Sequence, residues 1–116
     1  MRQGASTPEE LELLLEDAFV LRDSTAVPAL FEASALLMAD GVAGEARGSR
    51  QIARSASALW NSDYTYVADP RRVVQAHDLA LVLGAAGTSV VRRGSDGGWR
   101  FAISLLAMDH NPEEDR

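Results

Sequence analysis

The sequence predicts an α+β domain in which N-terminal helices pack on a long, curved antiparallel sheet. Three observations lead there. Apolar residues near the N-terminus recur with helical spacing, the apolar period shortens to two from Tyr64 onward, and glycines interrupt the longest alternating run. The chain has 116 residues, 47% of them apolar, enough to close one core without a metal or disulfide staple. One domain is expected over 1–116, with an ordered core from about residue 7 to about residue 108 and a charged tail at 109–116.

Helix one starts at Thr7-Pro8-Glu9-Glu10. Thr7 can cap the free amides, Pro8 stands where no amide partner is needed, and Glu10 completes a capping box. Leu11, Leu14, Leu15, Ala18 and Phe19 form its buried stripe, with Glu9, Glu12 and Glu16 assigned to water, as far as about Arg22. Asp23 or Ser24 can cap a short second helix through Leu30-Phe31, in which Pro28 is tolerable near the first turn. Ala35 to Met38 reads as a strand closed by Asp40-Gly41. Ser49 can cap a third helix over Arg50 to Trp60, with Ile52, Ala56, Leu59 and Trp60 inward.

Four sequential strands follow: Tyr64 to Ala68, Arg71 to His77, Leu79 to Arg93 and Trp99 to Met108. Gly84 and Gly87 inside the third predict a bulge or bend that curls the sheet around a cavity. Gly94 to Gly98 is a hairpin turn. On the last strand, alternation places Trp99, Phe101, Ile103 and Leu105 on one face and Arg100, Ala102, Ser104 and Leu106 on the other. Both faces are then largely apolar, so helices should cover one and a partner subunit the other.

Composition excludes several functions. There is no cysteine, hence no thiolate catalysis, thiolate metal site or disulfide, which fits a reducing compartment; the cytoplasm is the expected location. The formal charge of −6 opposes binding to a nucleic-acid backbone. No apolar run is long enough for a membrane span, and no export signal is read in Met1 to Thr7. All eleven basic residues are arginine, which removes Schiff-base chemistry and leaves permanent, fork-shaped cations. Two histidines and no clustered carboxylates predict no metal site, and no cofactor is expected.

The order of elements carries marker residues at its joints: Asp23 with Ala29-Leu30-Phe31, Arg47-Gly48-Ser49-Arg50-Gln51-Ile52, His77-Asp78-Leu79-Ala80-Leu81-Val82, and Asp96-Gly97-Gly98-Trp99-Arg100-Phe101-Ala102-Ile103. Taken together over residues 7 to 106, these resemble the SnoaL-like group of the nuclear-transport-factor-2-like superfamily, related to polyketide cyclases and ketosteroid isomerase. The resemblance implies a cone-shaped fold, a pocket between the helices and the concave face of the sheet, and homodimers joined through the outer face. The superfamily also contains isomerases, cyclases, dehydratases and members with no known reaction, so fold does not fix function.

Candidate residues follow from both readings. Ketosteroid isomerase keeps a catalytic aspartate near the end of this first strand. Here the matching position is Ala39 and Asp40 falls one residue later, where Asp40-Gly41 also reads as a turn. The relative's oxyanion-donating tyrosine on helix one corresponds to Phe19, which has no proton to donate. Tyr64 and Tyr66 can supply a donor or pack in the core. His77-Asp78 reads as an exposed turn pair rather than a proton-transfer dyad, because neighbours on a strand point apart. Arg71-Arg72 and Arg92-Arg93 give each of two strands one arginine per face, for solvent or for a ligand carboxylate or phosphate.

Three functions are therefore expected to compete. The first is a homodimeric domain binding a small organic molecule among Phe19, Met38, Trp60, Tyr66 and Arg92. The second is a lyase, isomerase or cyclase with Asp40 as general base. The third is a homodimerisation or assembly module whose cone is filled by its own side chains.

Overall fold

The computed structural model describes residues 5–110. Helix α1 (Pro8–Leu21) begins as its sequence requires: Thr7 Oγ1 accepts from Glu10 N at 3.0 Å. The reciprocal contact goes one residue further back, where Glu10 Oε1 accepts from Ser6 N at 2.7 Å. Arg22, with φ of 51°, ends the helix in the left-handed conformation. Asp23 Oδ1 then accepts from Thr25 N and Ala26 N, each at 3.0 Å, and starts α2 (Ala26–Ala29). That helix stops before Leu30, because Phe31 already belongs to β1 (Phe31–Ala39).

Asp40-Gly41 turns β1 back into β2 (Val42–Arg47), an edge strand absent from the sequence reading. Its Val-Ala-Gly-Glu-Ala-Arg sequence has little of the β-branched and aromatic content that marks strands. Helix α3 (Gly48–Asn61) starts two residues earlier than expected and its N-cap is Arg47, not Ser49; Gln51 Oε1 accepts from Arg47 N at 2.9 Å. Its buried residues are Ile52, Ala56, Leu59 and Trp60, as the periodicity predicts.

After β3 (Tyr64–Thr65) come β4 (Pro70–Ala76), β5 (Leu79–Gly84), β6 (Gly87–Arg93), β7 (Trp99–Leu106) and β8 (Asp109–His110). The main sheet has the order β2-β1-β7-β6-β5-β4, and β3 and β8 form a separate antiparallel pair. The tail expected from Asp109 thus opens with a short strand; residues 111–116 lie outside the described part. All neighbours in the main sheet are antiparallel except β1 and β7, which run parallel. The sheet is therefore mixed rather than wholly antiparallel, since the return through α3 and the later hairpins brings β7 alongside β1 in the same direction.

Two expectations about the sheet are corrected. Leu79 to Arg93 is not one bent strand: Gly84 pairs with Gly87 around a two-residue turn of Ala85-Ala86. The glycines are needed for close approach, because a Cβ on Gly84 would lie 2.1 Å from Asp69 O and one on Gly87 would lie 2.1 Å from Leu105 O. The bend is elsewhere. Between β6 and β7, Val90 faces Ile103 but Val91 faces Phe101, so Ala102 is an extra residue on β7. The two-residue alternation breaks there: Trp99, Phe101, Ala102, Ser104 and Leu106 are buried, whereas Ile103 and Leu105 are exposed.

The core lies between the helices and this inner face, with Leu11 and Leu15 of α1, Ile52 and Leu59 of α3, and Trp99 and Phe101 of β7 among its fully buried members. Phe31 and Phe101 stack at 4.9 Å between centroids across β1 and β7. Among the described residues, no helix is long and apolar enough to cross a membrane.

Two glycine variants separate close approach from backbone conformation. Gly87 combines a φ of 125° with the Leu105 carbonyl beside it, and Gly97 has a φ of 85° with open space around it. In urea denaturation, Gly97→Ala is expected to cost about 1 kcal/mol, the usual penalty of a left-handed non-glycine residue. Gly87→Ala should cost more, about 3 kcal/mol, because the β6–β7 ladder must also move; equal costs would refute the close approach.

Candidate functional site

The expected site residues divide between two faces. Phe19, Trp60 and Tyr66 come together inside, between α1, α3 and the segment that joins β3 to β4. Phe19 meets the Trp60 ring edge-on at 5.5 Å and the Tyr66 ring at 6.2 Å. All three are buried, Tyr66 to 1% exposure. Met38 and Arg92 do not join them. Met38 pairs with Leu105 on the outer face and is 41% exposed, since the odd-numbered Phe31, Ala35 and Leu37 take the inward positions of β1. Arg92 is held outside by an ion pair from Nε to Glu32 Oε2 at 2.9 Å.

The residue missing from the sequence reading is Glu12. Assigned to water with Glu9 and Glu16, it is 2% exposed instead. The signal was in the spacing: Glu12, Leu15 and Phe19 stand at i, i+3 and i+7, on one face of α1. Glu16 is partly buried as well, and its Oε1 accepts from Ala68 N at 2.9 Å, tying the Tyr66-bearing segment to the helix.

Three buried polar atoms on this cluster have no partner in full hydrogen-bond geometry among the described residues: Glu12 Oε1, Tyr66 Oη and Trp60 Nε1. The Tyr66 hydroxyl faces the Glu12 carboxyl closely enough that each alters the other's ionisation through a hydrogen-bonding contact as well as through charge, although that contact falls short of full hydrogen-bond geometry. Burial raises the Glu12 carboxyl above its ordinary range, the Tyr66 hydroxyl partly opposes that, and Asp69 adds to it. Burial likewise keeps the Tyr66 phenol protonated far above its usual range, reinforced by the Glu12 and Glu16 carboxylates. Such a cluster can hold a small polar group against aromatic walls, with Glu12 and Tyr66 able to accept hydrogen bonds and Trp60 to donate one.

Asp40 lies elsewhere. It is exposed on the β1–β2 turn, its backbone N–H donating to Leu106 O at 3.2 Å. The Tyr64 ring covers Gly41 beside it, 2.5 Å from where a Cβ would stand. An open groove of about 340 Å³ runs past this turn, lined by Met38, Ala39, Asp40, Val42, Gly44 and Leu105 among others. His77 and Asp78 form an exposed two-residue turn, with Asp78 Oδ1 accepting from Arg93 Nε at 2.7 Å rather than bonding His77. Arg93 also lies over the Trp99 ring at 5.3 Å, and Arg71 pairs with Asp69 at 3.0 Å. Among the described residues, no three metal-ligating side chains cluster.

No family model and no curated protein matches the chain. Solved structures do. A ketosteroid isomerase-like protein from Erwinia carotovora atroseptica superposes with a TM-score of 0.72 at 21% identity, covering 89% of this chain and 94% of that one. An NTF2-like protein with a cystatin-like fold from Novosphingobium aromaticivorans gives 0.63 at 20% identity, over 86% and 78%. ActVI-ORFA from Streptomyces coelicolor gives 0.63 at 17% identity, over 90% and 100%. Coverage is nearly complete while sequence similarity is low, so what these structures share with the chain is its path in space: the protein has the α+β cone of the NTF2-like, cystatin-like fold.

Proposed function

We propose that this chain is a small-molecule-binding domain whose ligand enters the interior between α1, α3 and the sheet, at Phe19, Trp60, Tyr66 and Glu12. The observation that carries the reading is the set of three buried polar atoms without partners in full hydrogen-bond geometry on one aromatic cluster. Buried polar groups are nearly always hydrogen-bonded, and each one left unmade costs about 1–3 kcal/mol. A fold that only needed to fill its cone would do better with leucine at position 12. The fold neighbours include a ketosteroid isomerase-like protein, which fits a ligand-holding cone by analogy of fold alone. Asp40, exposed on its turn and separate from the aromatic cluster, has no part in this binding.

The same reading includes a homodimer through the outer face of the sheet. The register aligns Leu36, Ile103, Val90, Leu81 and Val74 side by side across five strands. Ile103 is 44% exposed and Leu81 and Val74 are also open to solvent. A contiguous apolar band of this kind is a usual interface feature.

Three measurements examine this reading. In a nuclear magnetic resonance screen of small neutral, acidic and basic fragments, binders should shift the Trp60 indole N–H resonance and leave that of Trp99 in place. If every binder shifts residues along the Asp40 groove instead, the interior is not the site. In sedimentation equilibrium the wild-type chain should have twice the monomer mass and Ile103→Arg the monomer mass; a monomeric wild type would refute the interface.

The third concerns stability. Glu12 has a carboxyl raised in the folded state, so folding takes up a proton once the pH exceeds the ordinary carboxyl value. Glu12 thus favours the folded state most at low pH and loses that contribution as pH rises through its folded pKa. Glu12→Gln should match the wild type in acid and become progressively more stable than it above about pH 4.5, then level off, with about 1.4 kcal/mol for each tenfold by which the fold disfavours ionisation. Thermal melts of both proteins across pH measure the gap; parallel curves would mean that Glu12 is not ionising in the interior.

A further inference from the structure

We infer that the interior site selects a primary ammonium, a small organic amine in its charged form. The inference rests on the ligand-binding reading above and adds the charge and hydrogen-bonding character of what is bound. It follows from where the chain keeps its charges.

Among the described residues, every cation is at the surface. Arg22, Arg47, Arg71, Arg92, Arg93 and Arg100 each pair with a carboxylate there. Arg50, Arg54 and Arg72 occupy exposed positions, and the chain has no lysine. The interior therefore holds an acid and no base. The groups facing Glu12 and Tyr66 have the same sign: Glu16 from α1, and Asp69 from the segment before β4, the latter partly offset by its own ion pair with Arg71. A carboxylate or phosphate ligand would meet Glu12 with no counter-charge, and of the two uses open to the strand arginines, solvent or an anionic ligand, their exposed positions fit the first.

Two of the three free atoms point the same way; the third, Trp60 Nε1, is a donor and needs an acceptor elsewhere on the ligand. An ammonium has three N–H donors and no acceptor, and both Glu12 Oε1 and Tyr66 Oη are acceptors without a partner in full hydrogen-bond geometry. The Phe19, Trp60 and Tyr66 rings gather beside them, and ring faces attract organic cations. A quaternary ammonium would satisfy the rings but leave both oxygens unpaired, so the primary amine is the better match. On binding, the Glu12 carboxylate pairs with the incoming cation, any proton it holds passing to solvent; no carbon, nitrogen or oxygen framework bond changes.

The probes are n-butylammonium chloride, n-butanol, sodium butyrate and potassium chloride, titrated at pH 7 while the Trp60 indole signal is followed. Butylammonium is expected to bind about tenfold more tightly than butanol, the scale of one desolvated cation contact, and butyrate not at all. Glu12→Gln should abolish the preference for the amine, and Tyr66→Phe should weaken amine binding several-fold while leaving butanol unchanged. The inference is overturned if butanol or butyrate binds as well as the amine, or if the preference survives in both variants. It is also overturned if potassium alone reproduces the shifts, which would mark a metal-cation site. Butanol binding without any preference sinks the ammonium and leaves the ligand-binding reading standing; silence from every probe sinks both.

Discussion

The extra residue at Ala102 sets the layout on which the rest of the molecule depends. Without it, β7 would carry Ile103 and Leu105 inward with Phe101 and turn Ser104 and Leu106 out. With it, the strand bends at its centre and changes alternation, so Trp99 and Phe101 pack beneath the helices at one end while Ser104 and Leu106 continue the inner face at the other. Beside it, β1 skips register as well, from Phe31 opposite Phe101 to Leu36 opposite Ile103. Two irregularities against the same stretch of one central strand give the sheet its concavity, and the concavity makes room for Trp60 and Tyr66 above it. The buried Ser89 and Ser104 hydroxyls, 3.2 Å apart, satisfy each other on this inner face.

What the sequence made legible was local. Thr7, Pro8 and the Leu11-Leu15-Phe19 stripe specify α1 because caps and helical spacing act within a turn or two of the residue concerned. The part of Asp23 in starting α2, where its side chain accepts from the amides of Ala26 and of the N-cap Thr25, and the inward set of α3 were readable for the same reason. Several of the misses depend on partners distant in the chain. Gly84 and Gly87 signal a close approach, made to the carbonyls of Asp69 and Leu105, but only the pairing of β5 with β6 shows that they close a hairpin rather than a bulge. The parallel pairing of β1 with β7 and the slip at Ala102 are properties of neighbouring strands, invisible in one strand's alternation. Phe19, Trp60 and Tyr66 were placed in the interior because large aromatics have few other places to go. Met38 and Arg92 were misplaced by the one-residue ambiguity that every strand carries.

Glu12 shows why a charged residue at a helical position cannot be assigned to water by type alone. Its neighbours at i+3 and i+7 are Leu15 and Phe19, and α1 cannot bury those two without carrying position 12 inward. The helix is fixed there by several apolar anchors, Leu11 and Leu15 among them, and by the Glu16 contact to Ala68 N. That scaffold is strong enough to hold one unpaired carboxyl in place, and such local conflict between sequence and environment is characteristic of functional positions. The shared fold at 21% identity or less shows that the packing that shapes the cone tolerates extensive replacement.

The distribution of charge links the two faces of the sheet. On the outer face Arg92 stands beside Leu79 and Arg100 in register, and each arginine is neutralised by its own acid, Glu32 for Arg92 and Asp96 for Arg100. The Arg100 pair is two-pronged at 3.2 and 2.8 Å; it closes the turn before β7 and, together with the Gly98 N–H, holds the Asp96 carboxyl well below its usual range. These pairs border the apolar band from Leu36 to Val74 and leave that band itself without charge. Among the described residues no arginine enters the cone: six are paired at the surface and Arg50, Arg54 and Arg72 are exposed, so the Glu12 carboxyl has no cation beside it in the interior.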